Sequence, residues 1–227
     1  KKIKVQIIKI PSGEIDNYPL LKEISKLNVK VIISSGMSSI PEIKNALKIL
    51  TNYKLKKKNI FLLHCNSEYP SELKNLNLIK IKKFKKMFNC EIGYSDHSEG
   101  DLASIIAVTF GAKIIEKHIT LSKKRVGPDH SSSLEIKYLK TFVKQLKNIN
   151  ISIGSFKKDR SAGENKNKKI VRKSLVANTY IKKGTKFSKF NLAFKRPAYG
   201  LSPKYYQNII GKKAKKSFKK DDFIALK

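Results

Sequence analysis

Five times before Glu116 a short run rich in Ile, Val and Leu breaks off in polar residues and hands over to a loop or helix-spaced apolar residues. The runs are Ile3 to Ile10, Val29 to Ile33, Asn59 to His64, Glu91 to Tyr94 and Lys113 to Ile115. Between them Leu20, Leu21, Ile24 and Leu27 fall at helical spacing. So do Ile40, Ile43, Leu47 and Leu50, with Pro41 near the first turn, where its missing N–H does no harm. Leu73 to Phe88 is a basic segment with helical stretches, and Leu102 to Phe110 is an apolar helix stopped by Gly111. After a loop from Leu121 to Ser133, a long helix carries Leu139, Phe142, Val143 and Leu146 as one stripe. Strands alternating with helices predict an α/β fold with a parallel sheet covered by helices. Five strands do not close an eight-stranded barrel.

In every repeat the polar residues able to do chemistry sit just after the strand: Ser12 and Glu14, Ser34, Ser67 and Tyr69, Asp96 and His97, His118. Carboxyl ends of strands are where parallel α/β folds gather their sites. The stretch from Gly93 to His118 is the most informative, because it reads strand, helix, strand with a histidine at each strand tip. Neighbouring strands lie about 4.8 Å apart, so imidazoles leaving two such tips can reach one divalent metal ion. The competing reading is a pair of hydrogen-bonded core histidines. Asp96 and Glu116, beside the two rings in sequence, are placed to orient an imidazole from behind. His64 and His130 receive no role.

The formal charge of +33 suggests a nucleic-acid or anionic-membrane partner. Of the 50 basic residues only four are Arg, the residue suited to forked phosphate and base contacts. The lysines are scattered along the chain, so the charge reads as a solvated surface and neither nucleic acid nor membrane is expected as a partner. Cys65 and Cys90 form neither a disulfide framework nor a metal spacing and fit a reducing compartment. No apolar run approaches the roughly 20 residues that cross a bilayer, and a soluble, cytoplasmic protein is expected.

Residues 152–172 are polar, contain glycine and nearly lack large apolar side chains, which reads as a linker between residues 1–151 and 173–227. From Lys173 the pattern is β-rich, with SLVANTYI, a turn at Lys182-Lys183-Gly184, and NLAFKRP. About 55 residues suffice for a small domain.

The segments KIPSGEIDNYPLL, VIISSGMSSIPEI, LLHCNSEYP, GYSDHSEG, IIEKHITL, GPDHSSSLE, SLVA, KRPAYGLSP and IIGKKA, in that order, resemble the bacterial sialic acid synthases, the N-acetylneuraminate and N,N'-diacetyllegionaminate synthases. The resemblance spans almost the whole chain. It implies a TIM (β/α)8 barrel followed by a small β-rich SAF (antifreeze-like) domain, with the family barrel beginning about three repeats before KIPSGE. The chain is therefore expected to be the C-terminal part of the barrel, about five strands, plus the SAF domain. It is expected to be a fragment, a split gene product, or one member of a complementing pair.

The activity this resemblance implies is condensation of phosphoenolpyruvate with an N-acetylhexosamine, N-acetylmannosamine or a diacetamido-trideoxyhexose, to a nine-carbon acid with release of phosphate. It implies His97 and His118 as ligands of a divalent metal (Mn2+, Mg2+ or Co2+) and Glu14 as general acid/base. Lys9, Ser12, Ser34, Ser67 and Ser95 are implied for phosphoenolpyruvate, with Ser67 where some members carry Asn. Tyr69 and Asp129 are implied for the sugar. Arg196 matches the SAF-domain arginine that reaches a partner subunit's site, so a domain-swapped homodimer is expected. The alternatives are an inactive barrel and SAF remnant used as a binding module, a basic nucleic-acid binder, and a metal-dependent hydrolase, for which no H-x-H or H-E-x-x-H occurs.

Overall fold

The computed structural model describes residues 4–225, which fall into two compact units divided between Ser155 and Phe156. In the first unit five parallel strands pair in sequence order: β1 (Ile7–Ile10), β2 (Lys30–Ser34), β3 (Ile60–Cys65), β4 (Glu91–Asp96) and β5 (Ile115–Lys117). The helices between them are α1 (Tyr18–Ser25), α2 (Ile40–Thr51), α3 (Lys80–Met87) and α4 (Leu102–Thr109). This is the alternation the sequence predicts, a partial barrel wall. The expected start of the first strand at Ile3 lies outside the described residues.

Local chemistry sets the helix ends. Asn17 caps α1 by accepting from the Leu20 N–H, and Ser39 with Glu42 forms a capping box on α2, each satisfying amides that the first turn leaves free. Gly111, at φ +98°, turns the chain just after α4, in a region that side chains rarely adopt.

Alternation along the strands decides everything that follows. Ile10, Val31, Ile33, Ile60, Leu62, Ile92 and Tyr94 face the helices and join Leu21, Ile43, Leu50, Ile81, Phe84 and Ala107 in one buried cluster. With a period of two, Lys9, Ser34, Cys65, Ser95 and Glu116 must point to the opposite face. The register confirms the layering, since Ser34 pairs with Leu63, Cys65 with Ser95 and Ser95 with Glu116.

Two short strands extend this plan. β6 (Ile119–Thr120) pairs in parallel with β7 (Leu134–Glu135), which closes the loop between them and leads into α5 (Ile136–Ile153). The segment expected as a linker contains α6 (Ala162–Val171), opened by a Ser161–Glu164 capping box.

The second unit pairs β8 (Ser174–Ala177) with β9 (Leu192–Lys195) in antiparallel fashion, adds bridges such as Val176 to Phe223 and Ile181 to Phe218, and includes the short α7 (Tyr206–Ile209). Its own core is Leu175, Ala177, Ile181, Phe187, Leu192, Ile209, Ala214, Phe218 and Ile224. Among the described residues no helix is long and apolar enough to cross a membrane. Exposed lysines occur on α1, α2, α3 and α5 alike, so they coat the outer helices instead of gathering on one.

Candidate functional site at the strand ends

The site is built from the non-helix face of the sheet and the loops just beyond it. Lys9 on β1 lies 3.3 Å from Glu116 on β5. The Ser95 hydroxyl donates to the same Glu116 oxygen at 2.7 Å and lies 3.2 Å from His97 Nε2. Lys9, Glu116, Ser95 and His97 thus form one polar chain across the sheet.

His97 Nδ1 lies 2.6 Å from the Asn66 carbonyl. A carbonyl only accepts, so Nδ1 carries the proton and the Nε2 lone pair turns toward the site. Burial, aided by the neighbouring His118, lowers the His97 pKa against the opposing Asn66 hydrogen bond. His118 stands with its ring centre 5.5 Å from that of His97, nearly perpendicular to it, and its Nδ1 is 3.6 Å from Asp129. Tyr69 stacks on His97 with centres 4.1 Å apart and reaches within 5.6 Å of His118. The Asp129 loop is tied back by the Leu134 N–H donating to the His118 carbonyl at 2.8 Å.

A second cluster gathers the serines. The Ser12 hydroxyl accepts from the Gly36 N–H at 2.9 Å and lies 3.3 Å from Cys65 Sγ. A Cβ on Gly36 would meet the Ser67 hydroxyl at 2.2 Å and that of Ser12 at 2.7 Å, so only glycine lets the two loops approach this closely. Ser34 is buried and its hydroxyl has no hydrogen-bond partner. An orphaned buried hydroxyl on a polar face marks a place for a ligand or water. Glu14 is half-buried in the turn after β1, and its side-chain bond is to Asn17 at 2.6 Å. Arg196 belongs to the second unit, exposed just after β9 and followed by a cis proline.

The structure therefore brings together Lys9, Ser95, His97, His118, Tyr69 and Asp129 in one group, and Ser12 and Ser67 in another. It corrects the expectation that Asp96 or Glu116 orients an imidazole. Asp96 is one residue from His97 and so points to the helix face, where it accepts from the Ser98 N–H and hydroxyl and from Ser104, and pairs with Lys117 at 3.0 Å. Glu116 shares the face of the rings but is engaged by Lys9 and Ser95. The ring of His97 is held by the Asn66 carbonyl instead, a role that side-chain patterns do not reveal. Cys65, at the centre of the serine cluster, was also missed, although its place at the end of β3 on the Ser34 and Ser95 face follows from alternation alone.

His64 is buried on the helix side with Nε2 2.7 Å from the Leu76 carbonyl, and burial lowers its pKa. Both His64 and His97 are therefore harder to protonate folded than unfolded, where the value is about 6.5. Above that pH neither costs stability; as pH falls through it the unfolded chain takes up protons that the fold refuses, and stability drops. The thermal midpoint is expected to fall on acidification below about 6.5, and less steeply in His64→Gln, which keeps a donor for Leu76. Parallel Tm-against-pH curves for the two chains would exclude His64 as a contributor.

A parallel α/β half-barrel with paired imidazoles and hydroxyls at its strand ends, followed by a separate small β unit, is what fold and site define. The NeuB family model matches residues 1–158 and the SAF domain model residues 172–227. The chain belongs to the NeuB family. It is 48% identical over 220 residues to the N,N'-diacetyllegionaminic acid synthase of Campylobacter jejuni, covering 97% of this chain and 66% of that protein. With human N-acetylneuraminate-9-phosphate synthase it shares 34% identity over 98% of this chain and 62% of the relative. The crystal structure of the N-acetylneuraminic acid synthetase of Leptospira borgpetersenii superposes with a TM-score of 0.66 at 37% identity, covering 72% of this chain and 56% of that one. The matched region thus spans 66%, 62% and 56% of the length of these three relatives, less than two thirds of each.

Proposed function

We propose that this chain forms the strand-end half of a synthase site that joins phosphoenolpyruvate to an N-acetylated aminosugar, with release of phosphate. The observation that carries the reading is the convergence of Lys9, Ser34, Ser95, His97 and His118 on one face, with the two rings 5.5 Å apart. The identity of 48% to a legionaminic acid synthase favours a diacetamido-trideoxyhexose as acceptor over N-acetylmannosamine.

The residues fit a divalent cation. An ion about 2.1 Å from a ring nitrogen lies roughly 3.3 Å from the ring centre, so two rings sharing one ion have centres at most about 6.6 Å apart. The 5.5 Å separation is inside that limit, and the Nδ1 proton of His97 is committed to Asn66. Among the described residues no group of three or more His, Cys, Asp or Glu could hold a metal, so substrate and water would complete the coordination. Bound there, Mn2+, Mg2+ or Co2+ would act as a Lewis acid on the sugar aldehyde.

The chain's own groups do the rest. The Lys9 ammonium and the hydroxyls of Ser12, Ser34, Ser67 and Ser95 bind the phosphate and carboxylate of phosphoenolpyruvate. This holds the enol carbon in line with the aldehyde carbon. Tyr69, stacked on His97, and Asp129, beside His118, bind and orient the sugar. As the new carbon–carbon bond forms, positive charge develops at the former enol carbon. A water adds there, and Glu14 takes its proton and gives one to the alkoxide left from the aldehyde oxygen. The adduct then collapses to the ketone, breaking the C–O bond to phosphate, which leaves with the hydroxyl proton. In this scheme Arg196 of a second copy reaches the N-acetyl group, making the working unit a domain-swapped homodimer.

The test is phosphate release and the mass of the acid product with Mn2+, phosphoenolpyruvate and each candidate sugar. The chain is assayed alone and together with the part of the Campylobacter jejuni synthase that it does not match. Expected is a nine-carbon acid formed with equimolar phosphate. Sugar binding without turnover in either mixture would instead leave a binding module.

A further inference from the structure

The side chains directly behind the two histidines are unusual. Asp96 and Lys117 occupy the last paired rung of β4 and β5, in register with one another. Their side chains are 0% and 4% exposed, and they form an ion pair of 3.0 Å on the helix face of the sheet. Asp96 also accepts from the Ser98 N–H at 2.9 Å, from the Ser98 hydroxyl at 2.7 Å, and from Ser104 on α4. Lys117 donates to the Ser98 carbonyl at 2.8 Å. His97 and His118 are the next residue on each strand, one step beyond the rung and on the opposite face.

A buried ion pair brings little net stability over an apolar pair of similar volume, because desolvation offsets the attraction. What it does supply is directional geometry. The network fixes residues 96 and 98 on either side of His97 and residue 117 before His118, all to one another. We propose that Asp96 and Lys117 are positioning residues that set the separation of the His97 and His118 rings and thereby the affinity for a divalent cation. The inference rests on the reading that the two imidazoles share such an ion.

The experiment is titration of the chain with Mn2+ alone, followed by calorimetry and by the electron paramagnetic resonance of the free ion. The double variant Asp96→Asn/Lys117→Met removes both charges without stranding either. It is expected to stay folded by circular dichroism and to bind Mn2+ at least about tenfold more weakly, the scale seen when groups behind metal ligands are changed. Lys117→Arg, which keeps the pair, is expected to retain most of the affinity, and Ser104→Ala, which removes one hydroxyl from Asp96, to weaken it less than the double variant. A folded double variant binding Mn2+ within about twofold of the parent overturns the proposal. So does an unchanged Kd in Ser104→Ala if the double variant does not fold. Binding absent from the parent, or surviving His97→Ala, defeats the shared-ion reading itself, so the two failures are told apart.

Discussion

Alanine at His118 is expected to lower Mn2+-dependent phosphate release by about 10²- to 10³-fold while leaving phosphoenolpyruvate binding nearly intact. The asymmetry follows from the layout. Lys9 and the serines, which hold phosphoenolpyruvate in our scheme, have no hydrogen bond to His118 among the described residues, whose partner is Asp129. A Lewis acid on the aldehyde supplies several kcal/mol to the transition state, and each 1.36 kcal/mol is tenfold in rate. The loss therefore belongs in kcat. The measurement is a phosphate-release assay beside equilibrium binding of phosphoenolpyruvate. Turnover within tenfold of the parent would remove the imidazole pair from the chemistry.

Lys117→Met alone should produce the largest loss of stability of any single change at the site. It strands the Asp96 carboxylate in a place that is fully buried. Hydroxyls and one amide remain, but no cation replaces the lost one. Breaking one side of a buried pair costs about 3–5 kcal/mol. At about 2–4 °C per kcal/mol for a chain of this size, the first unit's unfolding transition should fall by roughly 6–20 °C. Adding Asp96→Asn should restore most of it, since the stranded charge is then gone. Calorimetry that resolves the two units would read this. A shift under about 3 °C would mean that Asp96 is not held as a carboxylate by Lys117.

The sequence made the five strands legible because each is a run of Ile, Val or Leu that stops abruptly at polar residues. It made the histidine pair legible because both sit three residues past the last apolar or aromatic residue of such a run, Tyr94 and Ile115. The two-residue strands β6 and β7 were not legible, since two residues carry no periodicity. The helix α6 was hidden because its ten residues include only two large apolar ones, Ile170 and Val171, at its very end; its Ser161–Glu164 cap was the available signal. The role expected of Asp96 fails because it is adjacent to His97 in sequence and so lies on the other face, whereas Glu116 shares the face of the rings and bonds Lys9 and Ser95 instead. In a strand, adjacent residues point apart, and the face of each residue could have been read from Ile92 and Tyr94 beside it. The family resemblance named Lys9 and Ser95 as site residues, but the carboxylate that joins them comes from β5 and needs the pairing register to be seen.

The carbonyl that grips His97 belongs to the main chain at Asn66. Alanine at Asn66 keeps this oxygen in the chain and removes only the side chain's 3.4 Å hydrogen bonds to Glu68 and to the Asn75 carbonyl, so it does not delete the group that holds the ring. What keeps the ring in place is the route of the loop, so drift at this spot should show up as insertions or altered turns between β3 and Tyr69, and not as a missing functional group.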